Sequence, residues 1–308
     1  MTERDDVPHS WLDQVQGPGR WVARIIIAVL AAMLVHLLLT SKTIQWPVVW
    51  QYFSSKLIIE GAERTVELTV LAMAIGITIG ITLALMRLSR SLLIREAAGL
   101  YIWFFRGTPL LVQVVFWFNL SSFIQVIGIG IPFGPTFVSA NVNNLVTPFV
   151  AALLGLGLNE GAYMSEVVRA GILSVDTGQA EASLALGMSE SLTMRRVVFP
   201  QAMRVIIPPT GNQAIGMLKS SSLVSVTALP ELLYSAQSIY ARTFQTIPLL
   251  IVASLWYLIL TTVLTIGQYY IERYFGRGSS KQRLPPTLIE GLQAPLRRLM
   301  SFGDRHAT

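Results

Sequence analysis

The amino-acid sequence predicts an all-α integral membrane protein with six transmembrane helices. Of its 308 residues, 53% are hydrophobic and only 13% are charged, and the mean hydropathy is +0.57, whereas roughly 25% of residues are charged in ordinary soluble domains. The apolar residues form runs long enough to cross a bilayer, since about 20 helical residues span the hydrocarbon core. The basic residues flank these runs instead of forming a stripe interleaved with aromatics, so they indicate membrane orientation and no nucleic-acid partner.

The N-terminal region predicts a short cytoplasmic tail and one additional span. Residues 1–20 are polar, whereas residues 21–40 are almost wholly apolar. A secretory signal peptide is the alternative, because Arg20 and Arg24 precede the apolar run. That run is long for a signal peptide and lacks a clear small-residue cleavage site, so we expect a retained anchor. An aqueous or interfacial link follows over residues 41–60.

Residues 60–275 predict a core of five further spans. We expect them at about residues 64–86, 109–126, 146–168, 202–229 and 247–270. Pro208 and Pro209 interrupt the fourth of these, because a proline loses a backbone hydrogen bond and kinks a helix. Residues 128–144 are rich in glycine, proline and asparagine and lack Lys and Arg, which predicts an external loop. Residues 276–308 predict a basic cytoplasmic tail.

Small residues recur at intervals of four in the first core span. They are Ala72, Gly76, Gly80 and Ala84. Helices pair in lipid through close packing, so this spacing predicts a contact stripe for another helix. The alternative is that glycine and alanine are simply common in transmembrane helices.

The distribution of Lys and Arg predicts that both termini are cytoplasmic. The predicted inside segments hold 18 of these residues, the outside segments hold four, and Lys219 lies within a span, which accounts for all 23. Such an asymmetry favours the inside assignment. It places a long polar stretch, residues 178–209, on the cytoplasmic side.

This polar stretch predicts two short helices joined by a bend. Gly187 can supply the left-handed geometry of a helix end. Ser189 suits the N-cap of a second short helix, which we expect to stop before Pro200. The stretch is too polar for a bilayer, so we expect it to contact a partner outside this chain.

Several polar side chains occur inside otherwise apolar spans. They are Gln113, Asn159, Glu160, Tyr163, Glu166, Asn212, Gln213 and Lys219. An ionisable group at membrane depth costs at least ~2.5 kcal/mol, so by default it faces a cavity or a partner. Glu166 is expected to form a helix-end ion pair with Arg169, three residues on. For Lys219, a structural tie to a carboxylate and a role in gating are equally open.

The chain offers no catalytic, metal or nucleotide site of its own. It has no cysteine and only three scattered histidines, so no metal centre is predicted. The segment from Gly211 to Lys219 is not a phosphate-binding loop, because that loop needs the lysine directly after its second glycine and a strand before its first. We therefore expect a protein that is not an enzyme and that binds no cofactor itself.

The polar stretch and its flanks resemble the permease subunits of ABC importers. The resemblance lies in Glu181-Ala182-Ser183, Gly187 and Phe199-Pro200, which are similar to the EAA loop of that family, with Ser183 in place of alanine and Phe199 in place of leucine or isoleucine. The flanks are similar to the polar amino acid subfamily. They are Arg106-Gly107-Thr108-Pro109, Gly161 to Glu166, Pro200-Gln201-Ala202 and Lys219 to Leu223.

The resemblance implies a type I ABC importer permease in the bacterial inner membrane, with a coupling loop over residues 174–205. Two permeases, identical or paralogous, would sit on two ATPases that hold ATP and magnesium, and a solute-binding protein would deliver an amino acid from outside. The coupling residues would be Gln179, Glu181, Ala182, Ser183, Gly187, Arg195, Arg196 and Pro200. The translocation path would be lined by Gln113, Asn159, Glu160, Tyr163, Asn212, Lys219 and Ser222.

The mechanism implied by the resemblance is alternating access, in which dimerisation of the ATPases draws the coupling helices together. A self-contained secondary transporter or channel is the alternative, with Glu160 and Lys219 as ion-coupling groups. The sequence lacks the internal inverted repeats that would favour it.

Overall fold

A computed structural model describes residues 19–131 and 136–275 of the chain. Most of the predicted N-terminal tail, and all of the C-terminal one, lie outside the described residues. The helices are α1 (Gly19–Thr40), α2 (Trp46–Phe53), α3 (Lys56–Arg87), α4 (Leu92–Gly107), α5 (Leu110–Phe118), α6 (Val142–Leu145), α7 (Pro148–Leu173), α8 (Thr177–Ala185), α9 (Glu190–Thr193), α10 (Phe199–Ser220), α11 (Leu232–Thr243) and α12 (Thr246–Phe275). The fold is thus mostly helical, as predicted.

Two described helices, α3 and α12, are long and apolar enough to cross a membrane. A third span is obtained if the bent pair α4 and α5 is taken as one. Helix α1 is almost wholly apolar, and its side chains from residue 25 to residue 40 are exposed, as expected of a helix surrounded by lipid.

The stripe of small residues in α3 packs against α7, which confirms the predicted helix contact. Ala72 and Ala84 are fully buried. A Cβ atom added at Gly76 would lie 2.5 Å from Glu160, and one added at Gly80 would lie 2.5 Å from Met164. The two helices can approach this closely only because side chains are absent at these positions.

The predicted span over residues 109–126 is wrong in its bounds. Helix α4 already enters the bundle, where Ala98, Ile102 and Phe105 are buried, and α5 ends at Phe118. The axes of α4 and α5 meet at 99°. The cause is Pro109, which forces the preceding residue out of the helical region; Thr108 accordingly has φ −108° and ψ 143°.

The predicted interruption at Pro208 and Pro209 is absent. Helix α10 continues through both prolines to Ser220, and a 3-10 helix follows over Ser221–Thr227. The span predicted over residues 202–229 therefore contains two kinds of helix. Ala228, with a φ of 56°, ends the second.

A β-hairpin forms within the predicted external loop. Strands β1 (Val126–Gly130) and β2 (Thr136–Asn141) pair antiparallel, with Val126 opposite Asn141 and an irregularity after Ile129. The region predicted as a link before the core is also structured, because it contains α2, whose Val49 is fully buried. Helix α3 begins at Lys56, eight residues before the predicted start.

Candidate functional site

Residues 174–205, the predicted coupling loop, form a compact structure at one end of the bundle, between α7 and the first two turns of α10. This segment is called the hook below. Asp176 caps α8 by accepting a hydrogen bond from the backbone amide of Gly178 at 2.8 Å. Ser189 caps α9, as predicted, and accepts from the amide of Leu192 at 3.4 Å. The two helices are therefore fixed at their starts by side chains of the loop itself.

Gly187 ends α8 in the predicted left-handed conformation, with φ 81°. Its amide donates to the carbonyl of Leu184 at 2.9 Å, and the amide of Met188 donates to that of Ser183 at 3.1 Å. This pair of bonds is the Schellman motif, which uses carbonyls that a helix end would otherwise leave unpaired. A residue with a side chain would be strained at this φ.

The second short helix does not stop before Pro200, so that prediction is wrong. After α9 the chain makes a π-helical turn over Met194–Val198 and passes directly into α10. Pro200, which has no amide hydrogen, is the second residue of α10 and follows this turn directly. The hook is therefore continuous with the helix that follows.

Most of the predicted coupling residues are exposed on this hook. The exposed ones are Gln179, Glu181, Ala182, Gly187, Arg195, Arg196 and Pro200. Ser183 is buried, and its hydroxyl donates to the carbonyl of Gln179 at 2.7 Å. The sequence interpretation missed Leu186, an apolar side chain 84% exposed beside the bend. Its signal was an apolar residue directly before the predicted helix-ending glycine.

A second group of side chains surrounds a cavity of about 360 Å³ between α4, α7 and α10. The cavity brings together Tyr163 and Asn212, two of the predicted path residues, with Arg106, Glu166 and Gln213. The guanidinium of Arg106 lies 5.3 Å from the centre of the Tyr163 ring, a cation–π contact. Glu166 pairs with Arg169 at 2.7 Å, which confirms the predicted ion pair.

Glu160 lies six residues before Glu166 in α7 and is only 6% exposed. Its Oε1 atom has no hydrogen-bond partner, and no basic residue of the described ranges forms a salt bridge with it. Its Cβ and Cγ methylene groups pack against Gly76 of α3. The carboxylate has a hydrogen bond with the Gln213 side chain, so one of its two oxygens is satisfied. A buried polar atom without a partner is costly, and Oε1 therefore has an unused capacity for binding.

Gln113 and Asn159 lie at the bend between α4 and α5. Both side-chain amides donate to the carbonyl of Phe105, at 2.9 and 2.8 Å. Gln113 also donates to the carbonyl and the hydroxyl of Thr108. A broken helix leaves carbonyls without partners, so these two predicted path residues stabilise the break.

Lys219 and Ser222 lie at the far end of α10, apart from the cavity. Lys219 is exposed and forms no salt bridge within the part of the chain that the structure describes. The predicted alternative of a structural tie to a carboxylate is therefore absent among those residues. The hydroxyl of Ser222 donates to the Lys219 carbonyl at 2.7 Å.

Glu231 is a fully buried acid that the sequence interpretation missed. It caps α11 by accepting from the amides of Leu233 and Tyr234 at 2.9 and 2.7 Å, and it accepts from the Tyr257 hydroxyl at 3.0 Å. The signal was an acidic residue directly after Pro230 and before a helical stretch. Its bonds tie α11 to α12.

A helical bundle with transmembrane spans, polar side chains around a cavity between helices and a structured polar hook at one end defines a membrane transport subunit. Residues 76–277 match the family described as binding-protein-dependent transport system inner membrane component, and the chain belongs to this family.

Curated relatives support the same assignment. The chain is 45% identical, over 86% of its length and 82% of the relative's, to the arginine transport system permease protein ArgU of Corynebacterium glutamicum. It is 34% identical, over 74% of its length and 96% of the relative's, to the glutamine transport system permease protein GlnP of Escherichia coli K12. The chain is thus an ABC importer permease, and the alternative of a self-contained channel or secondary transporter is not supported.

Solved structures show that the fold is that of a type I ABC importer permease. The crystal structure of an amino acid ABC transporter with histidines contains a chain 36% identical to this one, with a TM-score of 0.59 over 71% of this chain and 94% of that chain. The MetNI methionine ABC transporter in an inward-facing conformation matches with a TM-score of 0.55 at 18% identity, which supports the fold alone.

Proposed function

We propose that this chain is the membrane-spanning subunit of an ATP-driven importer of polar amino acids, with arginine as the first candidate cargo. The observation that carries this proposal is the exposed hook, residues 174–205, at one end of a permease bundle. The cargo is inferred from relatives named for arginine, glutamine and L-cystine transport, of which the arginine permease is 45% identical.

In this proposal the hook docks on a partner ATPase that holds ATP and magnesium. Leu186 is an exposed apolar side chain, and the Glu181 carboxylate lies five residues earlier. Arg195 and Arg196 are exposed on the turn that follows α9. Ionised groups at the rim of such a contact form charge-assisted hydrogen bonds. The helix caps hold the hook rigid, so that a displacement caused by the ATPase is transmitted to the helices of the bundle.

The translocation path would run along the cavity between α4, α7 and α10. An amino acid presents one carboxylate and one ammonium group. Arg106 forms no salt bridge with a described residue, and the Oε1 atom of Glu160 has no partner, so groups of both signs remain free for a zwitterion. Tyr163 and Asn212 would line the path beside them, and Lys219 and Ser222 would lie at its outer end.

The proposed topology has six spans with both termini in the cytoplasm of a bacterial cell. Arg90, after α3, forms a salt bridge of 3.1 Å with Glu190 of the hook, so the hook lies at the same end of the bundle as the basic residues after α3. Lys56 and Arg64 lie at the opposite end of this 32-residue helix, which is about 48 Å long. The excess of basic residues on the hook side favours that side as cytoplasmic.

The complete importer would contain two ATPases, a second permease, identical or paralogous, and an external solute-binding protein. The test is reconstitution of the chain in proteoliposomes with a partner ATPase and a solute-binding protein that binds arginine. We expect ATP-dependent uptake of labelled arginine. Uptake driven by an ion gradient without the ATPase would overturn the proposal.

Variants of the hook test the coupling assignment in the same preparation. Glu181→Lys and Gly187→Asp should leave the protein in the membrane and abolish most uptake, while the ATPase continues to hydrolyse ATP. Glu96→Gln is the matched control, since Glu96 is also exposed and lies on α4, outside the hook. Normal uptake in both hook variants would contradict the assignment of the hook as the coupling element.

A further inference from the structure

A second cavity, of about 490 Å³, lies at the end of the bundle opposite the hook. Its walls are formed by the first turns of α3 and by the segment that leads into α11. The lining includes Leu57, Glu60, Glu63, Glu67, Pro230 and Ser235. None of these residues belongs to the coupling loop or to the predicted path.

The three acids form a row on one face of α3. They are three and four residues apart, and like charges at these spacings destabilise a helix. Two of the acids are compensated, because Glu60 lies 3.7 Å from Lys56 and Glu67 lies 2.8 Å from Arg64. Glu63, between them, forms no salt bridge with a residue of the described ranges. The cavity therefore has one carboxylate in excess.

Arg64 also lines the cavity, but its guanidinium is held elsewhere. It donates to Glu67 at 2.8 Å and lies 5.5 Å from the centre of the Phe149 ring, at the start of α7. The hydrogen bond to Glu67 uses the edge of the planar guanidinium group, and the contact with Phe149 uses its face. Arg64 is thus engaged by other partners, and Glu63 is left without a counterion.

Ser235, which lines the same cavity, has a buried hydroxyl without a partner. Ser235 is 1% exposed and its Oγ atom makes no hydrogen bond. The neighbouring Ser238 instead donates to a carbonyl of its own helix at 2.8 Å, the usual solution for a helical serine. A Cβ atom at Gly61 would lie 2.5 Å from the Ser235 Oγ, so the glycine makes room for the hydroxyl beside the acidic row.

We propose that this cavity binds the cationic end of an alkylguanidinium or alkylammonium group. Glu63 supplies the counter-charge, the Ser235 oxygen accepts a further hydrogen bond, and Leu57 and Pro230 pack against the methylene chain. Such a group exists in a free basic amino acid and in the arginine and lysine side chains of a solute-binding protein. The assignment of the cavity to the external side rests on the proposed function.

The test uses the full chain in lipid nanodiscs. Because the chain contains no cysteine, Ile59→Cys introduces a single thiol next to the acidic row for an environment-sensitive dye. We expect arginine to change the dye emission saturably, whereas citrulline, which has the same length with a neutral urea in place of the guanidinium, leaves it unchanged. Equal responses to the two compounds would overturn recognition of charge.

Two pairs of variants localise the response. Glu63→Gln should weaken arginine binding about tenfold, the size expected for one hydrogen bond to a charged group, and Glu96→Gln, near the other end of the bundle, should have no effect. Ser235→Ala should weaken binding as well, and Ser238→Ala should not, because the Ser238 hydroxyl is already used. If both members of each pair titrate alike, the site is not the one proposed.

A second arm identifies the source of the cation. The solute-binding protein, freed of its ligand, replaces arginine in the same titration. A change that depends on Glu63 and occurs only with the protein assigns the cation to that partner and supports the site. If neither arginine nor the binding protein changes the emission, the proposal is wrong. Uptake measured in parallel separates the two proposals, because intact uptake with a flat titration refutes only this one.

Discussion

The close contact between α3 and α7 predicts a large difference between two glycine substitutions. In Gly80→Ala the new Cβ atom would lie 2.5 Å from Cβ of Met164, 2.9 Å from its carbonyl carbon and 3.0 Å from the amide nitrogen of Ser165. Two of these atoms belong to the backbone of α7 and cannot rotate away. The helices α3 and α7 must therefore separate by about 1 Å to restore ordinary contact.

The magnitude follows from two opposing effects. Overpacking of a close contact costs about 3 kcal/mol at the upper end of its usual range. Replacing a glycine inside a helix by alanine returns about 1 kcal/mol. We expect Gly80→Ala to lower the free energy of unfolding by about 2 kcal/mol in total.

Gly267→Ala in α12 is the matched control. No atom lies within 4 Å of a Cβ added at Gly267, so only the favourable helix term remains and the protein should become slightly more stable. The assay is unfolding of the purified chain in mixed micelles with increasing dodecyl sulfate, followed by circular dichroism. Equal stability of the two variants would refute the reasoning that α3 and α7 depend on bare glycines for their approach.

Three further predictions concern the bend, a helix cap and the topology. Gln113→Ala should lower the free energy of unfolding by about 2 kcal/mol, because the Thr108 carbonyl loses its donor and the Phe105 carbonyl keeps only that of Asn159; the same micelle titration measures it, and an unchanged midpoint would contradict it. Glu231→Ala should cost about 3 kcal/mol, since α11 loses its cap and a buried hydroxyl loses its acceptor; Glu231→Gln, which retains one oxygen acceptor, should cost less. A thiol in Lys56→Cys should react with a membrane-impermeant maleimide in intact cells, and one in Arg90→Cys only after lysis; the reverse pattern would invert the proposed topology.

Local signals in the sequence were sufficient for the parts of the fold that depend on neighbouring residues. The left-handed geometry at Gly187 and the cap at Ser189 each involve residues within one helical turn, and both were predicted correctly. The contact stripe through Gly76 and Gly80 was also predictable, because close approach of two membrane helices requires small residues at fixed spacing. These features need no knowledge of the partner element.

The bend between α4 and α5 could not be predicted in full, because its stability comes from a distant helix. Thr108 and Pro109 mark a break, but the sequence does not reveal that Asn159, 50 residues further on, donates to a carbonyl freed by it. The basic residues Arg95 and Arg106, which counted as cytoplasmic in the charge distribution, also hid the span that α4 begins. The cavity is a tertiary feature for the same reason, since Tyr163 and Asn212 meet only through the packing of α7 on α10.

The continuity between the hook and α10 connects the two parts of the candidate site. The π-helical turn over Met194–Val198 leads directly into α10, and Asn212 lies 13 residues after Phe199, about 20 Å along the same helix. The first half of α10 is joined to α3 and α7 by an apolar cluster of Ala84, Met164, Val168, Ile172, Val198, Ala202 and Ile206. A displacement of the hook must therefore move the ends of these three helices together.

Pro208 and Pro209 mark the point at which α10 bends most easily. Pro208 and Pro209 have no amide hydrogen, so the helix lacks two consecutive backbone bonds one turn before Asn212. The apolar cluster ends at Ile206, just before this weak point. In the proposed mechanism, the part of α10 that follows the hook moves as one body with α7, while the segment after the prolines turns about them. A push on the hook would then change the shape of the cavity.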